Sequence, residues 1–256
     1  MNRIVAAIYG ALSYLLFLVV FLYAVGFVGN VGVPKAIDGV AEGSPLAAIL
    51  VNVLLLGVFA VQHSVMARPG FKRWWTRYVP EPIERSTYVL LSSLALALLF
   101  WQWRPLPGLV WDVAGPFRTV LQAGFWLGWL VVLTSTFMLN HFELFGLRQV
   151  WLNLRGQASA PMAFRTPLLY GFVRHPIMLG FLIAFWSAPT MTAGHLLFSL
   201  ATTGYILIAL QFEERDLVAY FGDTYRQYRA RVPMLVPFVK FKGGSGGTKT
   251  PASPGP

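Results

Sequence analysis

Apolar residues dominate four long stretches of the chain, 4–29, 46–66, 87–103 and 119–140. A bilayer crossing needs about 20 mainly apolar residues, so each stretch predicts a transmembrane helix. The third is the shortest and closes on Trp101 and Trp103, whose rings suit the membrane–water interface. The fourth carries Gly124 and Gly128 one turn apart, a spacing that lets two helices approach closely.

Two further apolar runs, 177–189 and 192–212, lie either side of a break at Pro189. The first is long enough for a helix of roughly 20 Å, which is short of the hydrocarbon thickness of about 30 Å. The second is long enough to cross. Together they predict a hairpin. The expected fold is all-α and integral to the membrane, with five spans plus one short helix that completes a C-terminal hairpin. The first stretch is too long for a signal-peptide core and lacks a convincing cleavage site, so it reads as a retained helix. Residues 1–242 read as one membrane domain. The tail 243–256, GGSGGTKTPASPGP, has nothing to bury and reads as disordered.

Composition agrees with this layout. Hydrophobic residues make up 56% of the chain and charged residues only 12%, about half the share of a soluble domain. The net charge of +10 has a topological use. If the N-terminus, 67–86, 141–175 and the C-terminal region share one side, that side holds all the Lys and Arg except Lys35, Arg104 and Arg118. Such a bias assigns the rich side to the cytoplasm of the inner membrane and favours contact with anionic lipid. It also requires residues 176–212 to cross an even number of times, as a hairpin does. The basic residues are spread over short juxtamembrane loops, which argues against nucleic acid as a partner. The chain has no cysteine, which excludes disulfides, thiolate metal sites and a cysteine nucleophile.

On this topology, ionisable groups from four segments fall at one membrane depth. Gln62 and His63 end the second span. Asn140, His141 and Glu143 end the fourth. Tyr170, Arg174 and His175 precede the short helix, where Pro176 removes an amide and fixes the direction of the chain. Glu213 and Glu214 close the last span, where the helix dipole disfavours acids. Ionisable groups near hydrocarbon are costly and point to function. Structural readings stand beside this one: His63 as an interfacial histidine, His141 and Glu143 as a helix cap, and Glu213–Glu214 as an exposed pair facing Arg215. His195 falls on the opposite face and reads as structural. Four scattered histidines without zinc spacing give no metal site, and no P-loop or GxGxxG is present.

The C-terminal segment places Tyr170, Arg174-His175-Pro176, Glu213-Glu214, then Phe221-Gly222-Asp223-Thr224-Tyr225-Arg226-Gln227-Tyr228 and Val232-Pro233 around an apolar hairpin. This combination resembles the isoprenylcysteine carboxyl methyltransferase-like superfamily of membrane methyltransferases. Gln62-His63-Ser64-Val65-Met66-Ala67-Arg68 and Asn140-His141-Phe142-Glu143-Leu144-Phe145-Gly146-Leu147-Arg148-Gln149 narrow the resemblance to the membrane-bound methanethiol S-methyltransferases, which resemble a denitrification-associated membrane family. Met178 stands where prenyl-cysteine enzymes often carry Tyr, which argues against transfer of their substrate.

The resemblance implies S-adenosylmethionine as methyl donor and methanethiol as acceptor, giving dimethyl sulfide. It implies a donor pocket at the cytoplasmic face, built from Tyr170, Arg174, His175, Pro176, Glu213, Glu214, Tyr225 and Tyr228. Arg174 then takes the donor carboxylate in a bidentate fork, either glutamate takes ribose hydroxyls or the amino group, and the tyrosines offer ring faces to the sulfonium. His141 is the first candidate for a base, with Glu143 and His63 next. Alternatives are another thiol, a prenyl-cysteine or a lipid head group as acceptor, or a membrane transport or assembly protein without catalysis.

Overall fold

The computed structural model describes residues 2–40, 43–158 and 163–237; the tail read as disordered lies outside them. Five helices are long and apolar enough to cross a membrane: α1 (Arg3–Gly29), α2 (Pro45–Ala67), α4 (Glu81–Gln102), α5 (Pro116–Leu139) and α9 (Ala193–Phe221). The short α3 (Pro69–Trp75) follows α2; α6 (His141–Leu144) and α7 (Leu147–Leu154) follow α5. The hairpin is formed by α8 (Pro176–Trp186) and α9, and α10 (Asp223–Arg231) follows it. The protein is an integral membrane protein. Its outer surface shows why: α1 alone exposes Ile4, Ile8, Leu12, Leu15, Val19 and Leu22, an apolar face suited to lipid.

Three boundaries differ from those expected. The third span begins at Glu81, six residues early, because the two acids in its first turn suit a helix N-terminus and Glu84 is neutralised by Lys72 at 3.1 Å. The short helix stops at Trp186 rather than 189. The last span does not end at the glutamates. It runs through Phe221 until Gly222 turns the chain at φ 58°. The dipole cost assigned to Glu213 and Glu214 therefore does not arise, because both lie inside the helix. The charges that follow the apolar run are matched instead: Glu214 meets Arg174, and Asp216 meets Arg68 at 2.7 Å.

A two-stranded antiparallel ribbon, β1 (Leu109–Asp112) with β2 (Thr190–Thr192), was not legible from hydropathy. It ties the α4–α5 connection to the tip of the hairpin, and Trp111 Nε1 donates to the Ala188 carbonyl at 2.9 Å beside it. On the same side, His195 is buried between Asp38 Oδ2 at 3.4 Å and the Phe185 carbonyl at 3.1 Å. This is a structural clasp, distant in the chain from the clustered glutamates.

The close approach expected of α5 is made against α8. A Cβ at Gly128 would stand 2.5 Å from the Ala184 nitrogen, and one at Gly180 would stand 2.7 Å from the Gly128 carbonyl. Gly124 faces Ser187 in the same seam. The helices meet backbone to backbone, which fixes the position of the short arm that begins at His175-Pro176. An aromatic core of Phe27, Phe100, Trp103, Phe125, Trp129, Phe185 and Phe198 fills the interior.

Candidate active site

Glu214 is the centre of the C-terminal cluster. Arg174 donates from Nε to Oε1 at 2.8 Å and from Nη2 to Oε2 at 3.0 Å. His175 Nε2 lies 2.8 Å from Oε1, and the Tyr225 hydroxyl donates to the same oxygen at 2.7 Å. Arg229 Nε stands 3.5 Å from Oε2. Three segments of chain are needed to build this: the turn before α8, the inner part of α9, and α10. Pro176 at the first position of α8 sets the turn. The turn is then tied to the chain beyond α10, since Arg174 and His175 donate their amides to the Pro233 and Met234 carbonyls.

This geometry changes the part expected of Arg174. Its fork is filled by Glu214, and its remaining Nη1 donates to the Val232 and Arg229 carbonyls. The side chain is buried and its donors are spent inside the protein, so it holds the cluster together and has no fork left for a donor carboxylate. Glu213, the neighbouring acid, is different. Its side chain is 44% exposed, and His175 Nδ1 stands 3.8 Å from it. Of the two acids, Glu213 is the one with acceptor capacity to spare.

The tyrosines close the cluster. The Tyr228 hydroxyl donates to the Tyr170 carbonyl, and the Tyr170 hydroxyl reaches the Ser135 carbonyl at 3.4 Å. Burial pushes the Tyr228 phenol up to about 12. Burial raises Tyr170, and the charge of Glu213 adds to the shift; burial and the bond to Glu214 raise Tyr225. All three remain phenols at neutral pH and serve as donors and ring faces. The Ser135 hydroxyl is buried with no partner among the described residues.

The candidate bases fare unequally. His141 is buried, with Nδ1 2.8 Å from the Thr136 hydroxyl and Nε2 2.8 Å from the Tyr14 hydroxyl, and its ring stacks on Phe137 at 4.3 Å. Thr136 donates to the Leu133 carbonyl, so its oxygen accepts from Nδ1–H, and Nε2 accepts from Tyr14. Both nitrogens are taken. Burial holds this imidazole below its ordinary range. Glu143 accepts from Asn140 at 2.8 Å and from Arg148 at 2.6 Å, and its amide is capped by Asn140. It serves the helix cap that the sequence offered as the structural reading. His63 lies in a third place, between Tyr88 at 2.9 Å and Ser92 at 3.1 Å, with Phe59 stacked on its ring. No carboxylate is bonded to it among the described residues.

Sequence reading missed Tyr88, Ser92 and Tyr205. They lie within apolar runs and pass for membrane anchors. The available signal was the one-turn spacing of Tyr88 and Ser92, which puts two hydroxyls on one helix face. His63 on α2 meets Tyr88 and Ser92 on α4, and α2 is joined to α9 by Ser64 with Tyr205 and, just past its end, by Arg68 with Asp216.

Residues 50–215 match the family model described as NnrU protein. The methanethiol S-methyltransferase of Mycobacterium tuberculosis is 64% identical over 239 residues, covering 93% of this chain and 98% of that protein. Methanethiol S-methyltransferase 2 of Bradyrhizobium diazoefficiens is 61% identical, covering 92% of this chain and 91% of that protein. Nurim of Mus musculus is 31% identical, with 69% and 70% covered. No solved structure matches the chain. The chain belongs to the NnrU protein family.

Proposed function

We propose that this protein methylates methanethiol to dimethyl sulfide, with S-adenosylmethionine as donor, at an active site on the cytoplasmic side of the inner membrane. Residues 1–242 act as one domain in this reading. The acceptor follows the bacterial relatives, whose similarity runs through both halves of the chain. The observation that carries the site is the Glu214 cluster, which fixes Glu213, His175 and Tyr170 in one place while leaving Glu213 with spare acceptor capacity.

The residues present suit such a donor. Glu213 accepts from an amino group or ribose hydroxyls, and the Ser135 hydroxyl, without a partner among the described residues, offers a further polar contact beside Tyr170. The rings of Tyr170, Tyr225 and Tyr228 suit a sulfonium. Arg229, half exposed beside Glu214, takes over the role of carboxylate partner from Arg174. When bound, the donor supplies a methyl carbon on a positively charged sulfur, open to in-line displacement by a thiolate. The protein's own contributions are alignment and removal of the thiol proton. A thiol at least as weakly acidic as cysteine costs about 2 kcal/mol or more to ionise at neutral pH. Of the three candidate bases, Glu143 is spent on Asn140 and Arg148, and both histidines are bonded to hydroxyls; His63, whose ring stacks on Phe59 in the wall of an apolar recess between α2 and α9, is assigned this task.

The test is release of dimethyl sulfide by purified protein given methanethiol and S-adenosylmethionine. Product from this pair is expected. Confirmed donor binding without product from methanethiol, but with product from a prenyl-cysteine or lipid acceptor, overturns the acceptor.

A further inference from the structure

A cavity of about 740 Å³ lies between the α1–α2 connection and the chain that leaves α4, with Lys35, Gly39, Val40, Gly43, Arg104 and Pro105 in its wall. It sits where α1 and α4 end and α2 begins, at the end of the bundle away from the Glu214 cluster. In the topology that the charges favour, this is the outer face of the membrane. Buried contacts hold the wall. Asn52, fully buried in α2, donates to the Arg104 carbonyl at 2.7 Å and accepts from the Arg104 amide at 2.9 Å. Trp103, also fully buried, donates from Nε1 to the Ile37 carbonyl at 3.1 Å. The Tyr23 hydroxyl donates to the Lys35 carbonyl at 3.0 Å. These bonds fix both backbones and bring Lys35 and Arg104 to one space.

The charge in this space is unbalanced. Lys35, Arg104 and Arg118 are the cations that fall away from the basic side. Arg118 is matched by Asp112 at 3.3 Å and does not line the cavity. Lys35 donates from Nζ to the Trp101 carbonyl at 2.6 Å, which leaves two of its three donors. Arg104 bonds only through its backbone among the described residues. Asp38, close by in the chain, is taken by Asn30, Thr192 and His195. Glu42, next to Gly43, lies outside the described residues.

We propose that this cavity binds the phosphate of an anionic membrane phospholipid, with Arg104 and Lys35 on the phosphate oxygens and the acyl chains along α2. A guanidinium takes two oxygens of one phosphate in parallel, and an ammonium adds a point charge beside it. The setting is that of a lipid. Trp101 stands exposed next to the cavity, as a ring at the membrane–water interface does. The first turns of α2, just beyond Gly43, expose Leu46, Leu50 and Leu54 at one-turn spacing, an apolar stripe for a chain to follow. Free phosphate brings the same charge but nothing for that stripe. A lipid seated here ties the α1–α2 connection to the end of α4.

The experiment offers phosphatidylglycerol or diacylglycerol in mixed micelles to the delipidated protein and reads retained lipid by native mass spectrometry. Wild type should keep phosphatidylglycerol and release diacylglycerol. Arg104→Gln and Lys35→Met should each lower retention about tenfold, and the double variant should abolish it. Arg118→Gln removes an outer cation that is absent from the wall and should leave retention unchanged. Glu42→Gln should keep or raise it. Excess inorganic phosphate should fail to displace the lipid. Equal retention of the two lipids, or full retention in the double variant, overturns the site. So does an equal loss in Arg118→Gln, which would mean a general surface charge effect, or a loss in Glu42→Gln, which would mean that the acid and not the cations holds the head group. Displacement by phosphate would make the ligand a free anion and overturn the lipid.

Discussion

Arg174 and Glu214, 40 residues apart in the chain, meet in a two-point ion pair at 2.8 and 3.0 Å. Both side chains are buried. Such a pair gives little net stability, but removing one partner strands the other charge. Arg174→Ala and Glu214→Gln should each destabilise the protein by about 3–5 kcal/mol. The double variant should cost clearly less than the sum, because neither charge is then stranded. Arg174→Lys should recover little, since a lysine cannot supply two parallel donors. Thermal unfolding of the detergent-solubilised variants measures all four. Additive losses would show that the pair is not coupled.

His141 is held in a chain of neutral hydrogen bonds, so His141→Gln should cost stability without moving the pH dependence of kcat/KM. The pH dependence of stability should change instead. Burial keeps the folded imidazole below its ordinary range, so the unfolded chain binds the proton first as pH falls through about 6.5. Wild type should therefore lose stability below that pH, and His141→Gln should lose less. Melting curves at about pH 7.5 and 5.5 separate the two. A shifted activity profile in His141→Gln would return this residue to the list of bases.

Hydropathy revealed the spans because lipid exposure demands long apolar runs, and α1, α2 and α5 fall close to where the pattern puts them. It also brought Arg174 and Glu214 to one place, since a hairpin must return its ends to one side. Partners were harder to read. Arg174 and Glu214 were each recognised as site residues, yet nothing in a linear pattern says that they spend their bonding capacity on each other. The course of α9 past Glu213 was hidden for the same reason: the cations that neutralise Glu214 and Asp216 come from distant segments. Tyr88 and Ser92 were lost because a hydroxyl inside an apolar run looks inert until a histidine from another helix is set against it. The β1–β2 ribbon is too short to show a period.

Gly128 allows α5 and α8 to touch through their backbones. Gly128→Ala places a Cβ 2.5 Å from the Ala184 nitrogen, a clash with backbone that no rotamer change relieves. The short arm must then shift, carrying His175 with it. We expect a loss of about 1–3 kcal/mol from overpacking and a fall in activity. Gly57→Ala in α2 is the control, since nothing lies within 4 Å of the added Cβ. It should match wild type in stability or exceed it by up to about 1 kcal/mol. Equal behaviour of the two variants would refute the backbone contact.

Asp38 anchors the α1–α2 connection to the far end of the hairpin. It accepts from Asn30 at 2.7 Å and from the Thr192 hydroxyl, and it faces His195 at 3.4 Å. Burial opposes the charged carboxylate, but the bonds from His195, Thr192 and Asn30 outweigh that and hold its pKa below the ordinary value. A depressed carboxylate contributes stability that is fully present above the unfolded pKa near 4 and is lost as pH falls through the lower folded value. Asp38→Asn should therefore cost stability at neutral pH, about 2 kcal/mol for charge-assisted bonds of this kind. The gap to wild type should close as the medium is made acid. Thermal stability of both proteins from about pH 7 down to pH 3 tests this. A gap that stays constant would mean that Asp38 acts through packing alone and that its charge plays no part in holding the hairpin tip.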